Sequence, residues 1–143
     1  MTDVHNKKTR SYNMSQIKGR NTKPEIIVRK YLHHKGLRFR LHVNKLSGKP
    51  DLVLKKYNTA IFINGCFWHG HDNCKYFSLP KTRTEWWKEK IYNTKNRDKI
   101  NLEKLTDQGW NTIVVWECEL KPNNKNKTLN KLLEQITKNS NEK

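Results

Sequence analysis

The sequence predicts an α/β domain in which a mixed sheet is flanked by helices, and three observations carry that prediction. A chain of 143 residues is enough for one core and too short for two of ordinary size. Its apolar residues follow helical spacing in 22–36, 84–105 and 128–136, and form short alternating or β-branched runs in 38–41, 51–54, 59–63 and 112–116. In chain order these give α-β-β-β-α-β-α, a sheet with helices packed against it.

The first twenty residues, with Lys7, Lys8, Arg10, Lys18 and Arg20, form a basic arm on which Met14 and Ile17 share one side of a short helix. Thr22 and Glu25 have capping-box spacing, and Pro24 is tolerated in a first turn. Ile26, Ile27, Lys30, Tyr31 and Leu32 continue that helix to a stop at Gly36. Arg38-Phe39-Arg40-Leu41 alternates as a half-buried strand does. The turn-rich stretch Leu46 to Pro50 leads into Asp51-Leu52-Val53-Leu54. A polar turn at Lys55 to Asn58 and a buried run, Thr59 to Ile63, complete a hairpin. Gly65 to Lys81 is irregular and crowded with Cys, His and aromatic residues. Thr84 is placed to cap a helix through Trp87 and Ile91 to Leu105, with Gly109 as its stop. Thr112 to Trp116 is a second β-branched strand, in which Trp116 is expected to be core, and Thr128 to Ile136 a final amphipathic helix. The chain thus divides into an arm at 1–20, a folded domain at 21–138 and a polar tail at 139–143.

Thirty Lys and Arg against thirteen Asp and Glu give a formal charge of +17, which calls for a polyanionic partner. No apolar run approaches the roughly 18 residues of a membrane span, and the N-terminus lacks the apolar stretch of a signal peptide. A membrane is therefore the weakest polyanionic candidate, and nucleic acid, DNA or RNA, is favoured. Three cysteines argue against a closed disulfide framework and for a reducing, cytosolic compartment. With 34% hydrophobic residues and a mean hydropathy of -1.03 the core must be small, so a bound metal is a reasonable supplement.

Cys66, His71, Cys74 and Cys118 supply the thiolate and imidazole donors that Zn²⁺ prefers in a closed tetrahedral site. Such a site ties a long irregular loop to the end of the last strand, offsetting the loop's entropy. His69 competes with His71 for the fourth position, and three buried thiols beside a surface His are the plain alternative. Asp51 opens a strand after Pro50, where a carboxylate can project from a sheet edge and hold Mg²⁺ for phosphodiester hydrolysis. Glu25 either approaches the same ion or serves only as the partner of Thr22. His69 suits proton transfer or a phosphate contact, and Asp98 is a candidate to orient it that spacing does not single out. Phe67 and Trp68 sit between Cys66 and His69, and Trp86-Trp87 follow a basic stretch with Lys81 and Arg83. Such aromatics suit stacking on bases or wedging between base pairs, with burial in the core as the alternative.

Several of these motifs resemble those of the very short patch repair (Vsr) DNA mismatch endonucleases. They are Asn64-Gly65-Cys66-Phe67-Trp68-His69, Pro50-Asp51, Thr82-Arg83-Thr84-Glu85 and Val115-Trp116-Glu117-Cys118. The opening, Asp3-Val4-His5 through Thr9-Arg10-Ser11 to Asn13-Met14, belongs to the same pattern. The resemblance implies a restriction-endonuclease-like fold over 21–138 and nicking of one strand on the 5′ side of the T in a T:G mismatch, the product of 5-methylcytosine deamination. It implies a catalytic Mg²⁺ held by Asp51 and the backbone carbonyl of Ile63, with Glu25 assisting through water and His69 acting as base. It implies a structural Zn²⁺ on Cys66, His71, Cys74 and Cys118. Phe67, Trp68 and Trp87 would enter the duplex from the major groove, and Met14 from the minor groove. A cytosine-5 DNA methyltransferase and mismatch-repair proteins are the implied functional companions of a monomer working in the cytoplasm, on the nucleoid.

The chain departs from that pattern at three places. Ile63-Asn64 stands where familiar members have Thr-His; a carbonyl at Ile63 can still bind an ion, but Asn64 cannot act as a base. There is one extra residue between His71 and Cys74. No acidic-x-Lys element follows Asp51, so a standard restriction enzyme fits less well. The competing expectations are a catalytically decayed, zinc-braced DNA-binding module and an RNA-binding protein.

Overall fold

A six-residue strand, Thr59–Asn64, is central to the sheet: strands pair with it on both edges, and its first three residues are buried. The computed structural model describes residues 22–140, so the arm with Met14 lies outside the described residues. The elements are α1 (Lys23–His34), β1 (Arg40–Leu41), β2 (Leu52–Leu54), β3 (Thr59–Asn64), α2 (Thr84–Asp107), β4 (Asn111–Trp116) and α3 (Lys125–Ser140). Short 3-10 turns follow β2 at Lys55–Tyr57 and β4 at Glu117–Leu120. The order is the expected one, and the result is a mixed α/β fold.

The sheet runs β1-β2-β3-β4, with β1/β2 and β2/β3 antiparallel and β3/β4 parallel. Parallel strands need a long crossover, and α2 is that crossover. Asn58, in the left-handed conformation at φ 51, reverses the chain between β2 and β3, and its carbonyl accepts the N–H of Asn111 at the start of β4. Period-2 alternation then sorts the side chains. Ile61 and Val115, with the partly buried Ile63 and Ile113, join Val28 and Leu32 of α1 and Leu129, Leu132 and Ile136 of α3 in one core. The other face lies towards α2, where Val114 and Trp116 share a cavity with Lys99 and Leu102. Buried positions on α2 are few, Ile91 and Leu105, so that face is left open enough for clefts. Among the described residues no helix is long and apolar enough to cross a membrane.

Three local expectations are corrected. Thr22 sits at the N-cap position of α1, yet its side chain makes no cap; Glu25 is turned inward, 4% exposed, instead of reaching back to form a capping box. Thr84 is the first residue of α2 and not its cap: its hydroxyl donates to the carbonyls of Pro80 and Lys81, and Arg83 holds the cap position at φ 56. The strand expected at 38–41 has only Arg40 and Leu41 on the ladder, and Phe39 before them packs on the core.

Candidate active site and metal centre

The parallel pair places its chemistry at its carboxyl ends. The loop after β3 carries Cys66, Phe67, Trp68, His69, His71 and Cys74, and the turn after β4 carries Cys118. Asp51 lies at the same edge because β2 runs the other way and begins there; its N–H donates to the carbonyl of Ile61 at 3.0 Å.

Cys66, His71, Cys74 and Cys118 converge, each offering a ligand atom within 4.8 Å of the others. Cys118 Sγ is 3.4 Å from His71 Nδ1. Burial pushes the Cys66 thiol up, against the opposing amide and thiol of Cys118. Burial, then the thiols of Cys66 and Cys74, push Cys118 up to about 12. At Cys74 desolvation acts upward too, but the amides of Tyr76 and Phe77 and the neighbouring thiols outweigh it and hold that thiol below its ordinary range. Three sulfurs crowded in this way cannot all ionise without a cation among them, and three thiolates with one imidazole are a donor set that fits a zinc ion. Trp116 is not core as expected: it lies half-buried and stacked on the His71 ring, 4.0 Å between centroids and 5° from parallel, which fixes that ring's plane.

Gly70 separates the two imidazoles. It sits at φ +60 with its backbone pressed on α2, where an added Cβ would lie 2.5 Å from Ile91 Cγ2. The loop therefore turns sharply between His69 and His71, sending one ring to the cysteines and the other to α2. There Asp98 Oδ2 accepts from His69 Nδ1 at 2.6 Å. That contact puts the proton on Nδ1 and leaves Nε2 as the basic nitrogen. Lys95 donates to Asp72 at 2.7 Å, a second tie between loop and helix.

A cavity of about 890 Å³ opens beside this loop, and it brings together most of the expected site: Glu25, Asp51, Ile63, Phe67, Trp68, His69 and Trp87 all line it. Asn64, Asp98 and Glu117 line it too. Asp51 Oδ2 accepts the Ile63 N–H at 2.7 Å. Burial pushes the Asp51 carboxyl up to about 6, with the Ile63 amide opposing, Glu25 adding to the rise, and His42 and His69 reducing it. Two carboxylates in one cleft, one of them reluctant to ionise, are chemically suited to a divalent cation. Phe67, Trp68 and Trp87 form one cluster, with ring centroids 5.2 Å apart for Phe67–Trp68 and for Phe67–Trp87, and 5.8 Å for Trp68–Trp87. Trp68 is 36% exposed and Trp86 45%, so the cluster presents aromatic surface instead of burying it. Arg83 and Lys90 lie over the Trp86 ring.

Sequence reasoning missed two residues. His42 Nε2 lies 3.0 Å from Glu25 Oε2, and Arg29 Nη2 donates to the same oxygen at 2.9 Å. Arg29 is one helical turn beyond Glu25, a spacing that signals such a pair; His42 lies outside regular structure and its position has no sequence signature.

Residues 2–75 match the family described as DNA mismatch endonuclease Vsr. The chain is 45% identical to the type II nicking enzyme V.NmeAIP of Neisseria meningitidis over 139 residues, 95% of this chain and 97% of that one. It is 45% identical to the DNA mismatch endonuclease Vsr of Escherichia coli over 121 residues, 85% and 77% of the two chains. It is 44% identical to the type II nicking enzyme V.XorIIP of Xanthomonas oryzae over 120 residues, 84% and 88% of the two. By its relatives the chain is a DNA endonuclease, a hydrolase of phosphodiester bonds. The chain belongs to the DNA mismatch endonuclease Vsr family.

Two predictions follow from the geometry. Gly70→Ala imposes a side chain at a left-handed position against Ile91, and should cost about 1–3 kcal/mol in urea unfolding; a cost below about 0.5 kcal/mol would mean that the loop does not press on α2 as described. Folded Asp51 keeps its proton to about pH 6, whereas the unfolded chain releases it near 3.8, so metal-free protein should lose stability as pH rises through that window. Asp51→Asn, which retains an acceptor for the Ile63 amide, should then be more stable than wild type by about 1–3 kcal/mol above pH 6, with the difference gone below pH 4. Parallel stability–pH curves for the two proteins would contradict this.

Proposed function

We propose that this endonuclease nicks one strand of duplex DNA on the 5′ side of the T in a T:G mismatch, opening very short patch repair of deaminated 5-methylcytosine. The observation that carries the proposal is the single cleft that joins Asp51, His69 and the aromatic cluster, in a chain 45% identical to a protein named DNA mismatch endonuclease. The positive charge of the chain supplies non-specific affinity for the phosphate backbone.

In this reading Phe67, Trp68 and Trp87 enter the duplex from the major groove. Inserting aromatic groups costs unstacking, which is least at a mismatch, so the wedge also selects the lesion. Met14, on the arm at 1–20, would approach from the minor groove. Asp51 and the Ile63 carbonyl would hold Mg²⁺, with Glu25 assisting through water; when bound, the ion neutralises charge developing on the phosphate. His69 Nε2 takes the proton from the attacking water as the bond from phosphorus to the leaving sugar oxygen breaks. Asp98 holds the ring in the required tautomer and stabilises its charged form. Asn64 cannot share that work, which leaves proton transfer to His69. Cys66, His71, Cys74 and Cys118 would hold a structural Zn²⁺. The fold would be restriction-endonuclease-like, its body at 21–138 and its polar tail at 139–143. We place the enzyme in the cytoplasm, on the nucleoid, as a monomer working alongside a cytosine-5 DNA methyltransferase and mismatch-repair proteins.

A duplex with one T:G pair, incubated with Mg²⁺, should be nicked in the T strand only. Asp51→Ala should abolish nicking and leave binding within a few-fold; His69→Ala should slow it by about 10²–10⁴. Equal cleavage of a fully paired duplex would contradict mismatch specificity. Binding without turnover in both Mg²⁺ and Mn²⁺ would instead favour a decayed DNA-binding module, the reading that Asn64 motivates.

A further inference from the structure

We propose that His42 completes, with Glu25 and Asp51, a mixed imidazole–carboxylate site that binds Mn²⁺ in preference to Mg²⁺. The proposal rests on the reading of the cleft as an ion site and names a ligand that nothing in that reading requires.

The three side chains converge: each offers a ligand atom within 4.8 Å of the others. His42 Nε2 and Glu25 Oε2 are 3.0 Å apart, close to the ~3 Å that separates adjacent ligands on an octahedral ion with bonds of 2.0–2.2 Å. Backbone pairing fixes this approach, since the His42 N–H donates to the Asp51 carbonyl at 3.1 Å. Both side chains are largely withdrawn from solvent, at 14% exposure for His42 and 5% for Glu25. The cavity reaches Glu25 and Asp51, so an ion held there can meet a substrate, while His42 backs it from the protein side.

The chemistry of the set argues for a transition metal. Mg²⁺ favours oxygen donors and dehydrates reluctantly, whereas a nitrogen ligand moves a site toward the first-row transition ions. Of these, Mn²⁺ is the one that also takes carboxylate and water ligands as Mg²⁺ does. Arg29 sharpens the distinction. Its Nη2 is 2.9 Å from Glu25 Oε2 and 3.4 Å from His42 Nε2, so one carboxylate is already partly neutralised. That weakens the pull on an ion held by charge alone. An ion that also gains a nitrogen ligand loses proportionately less.

Pulsed EPR of Mn²⁺ on the full-length, zinc-loaded protein reads the ligand directly, because a bound histidine modulates the echo through its nitrogen. Wild type should bind one Mn²⁺ at least about tenfold more tightly than Mg²⁺ and show nitrogen coupling. The coupling should survive in His69→Gln, the other imidazole near Asp51. It should vanish in His42→Gln, with Mn²⁺ affinity falling about tenfold and Mg²⁺ affinity changing less than threefold. Nitrogen coupling that persists in His42→Gln, equal losses for the two ions, or a wild-type preference for Mg²⁺ would overturn the proposal; the last needs no variant. The failures separate. If Asp51→Asn abolishes ion binding and His42→Gln does not alter it, only the role of His42 falls. If wild type binds neither ion, the metal reading of the cleft falls with it.

Discussion

The convergence of Cys66, His71, Cys74 and Cys118 is the constraint on which the functional end of this molecule depends. Gly65 to Lys81 has no regular structure, and a loop of that length would ordinarily sample many conformations. Here it is pinned at Cys66, at His71 under the Trp116 ring, and at Cys74, all against the turn that follows β4. The strand pair β3/β4 supplies the rigid base. The loop between the pins presents Phe67, Trp68 and His69, which α2 braces from the other side through Trp87 and Asp98.

This arrangement explains why acid, imidazole and aromatic groups from distant parts of the sequence meet. Parallel β3 and β4 end side by side, and antiparallel β2 begins at the same edge, so a loop, a turn and Asp51 share one rim. The first turn of α2 adds Trp87, and its next turns add Asp98 and the wall against which Gly70 presses. The cleft is also costly: an Asp51 carboxyl pushed up to about 6 by burial marks stability given up for chemistry.

Much of this was legible in the sequence because it rests on local periodicity. The alternating and β-branched runs gave the β2–β3 hairpin and β4, and Gly36 and Gly109 marked helix ends at their positive φ values. Donor type and loop position gathered the cysteines, while the choice between His69 and His71 needed the left-handed turn at Gly70. What spacing could not show was side-chain direction. Glu25 and Thr22 have capping-box spacing, yet the pull of Arg29 and His42 turns Glu25 inward. Trp116 read as core because its strand is apolar; alternation puts it on the α2 face, over His71. His42 was invisible, since it joins Asp51 and Glu25 only through the β1–β2 pairing.

The most direct test of this scaffold is amide hydrogen exchange on the purified protein before and after its metal is removed with a chelator, with metal content measured on the same sample. The account predicts one zinc per chain. It also predicts that removal exposes the amides of Gly65 to Cys74 to rapid exchange, while those of β3 and α3 stay protected. A zinc content well below one per chain, or loop protection that survives removal of the metal, would contradict it.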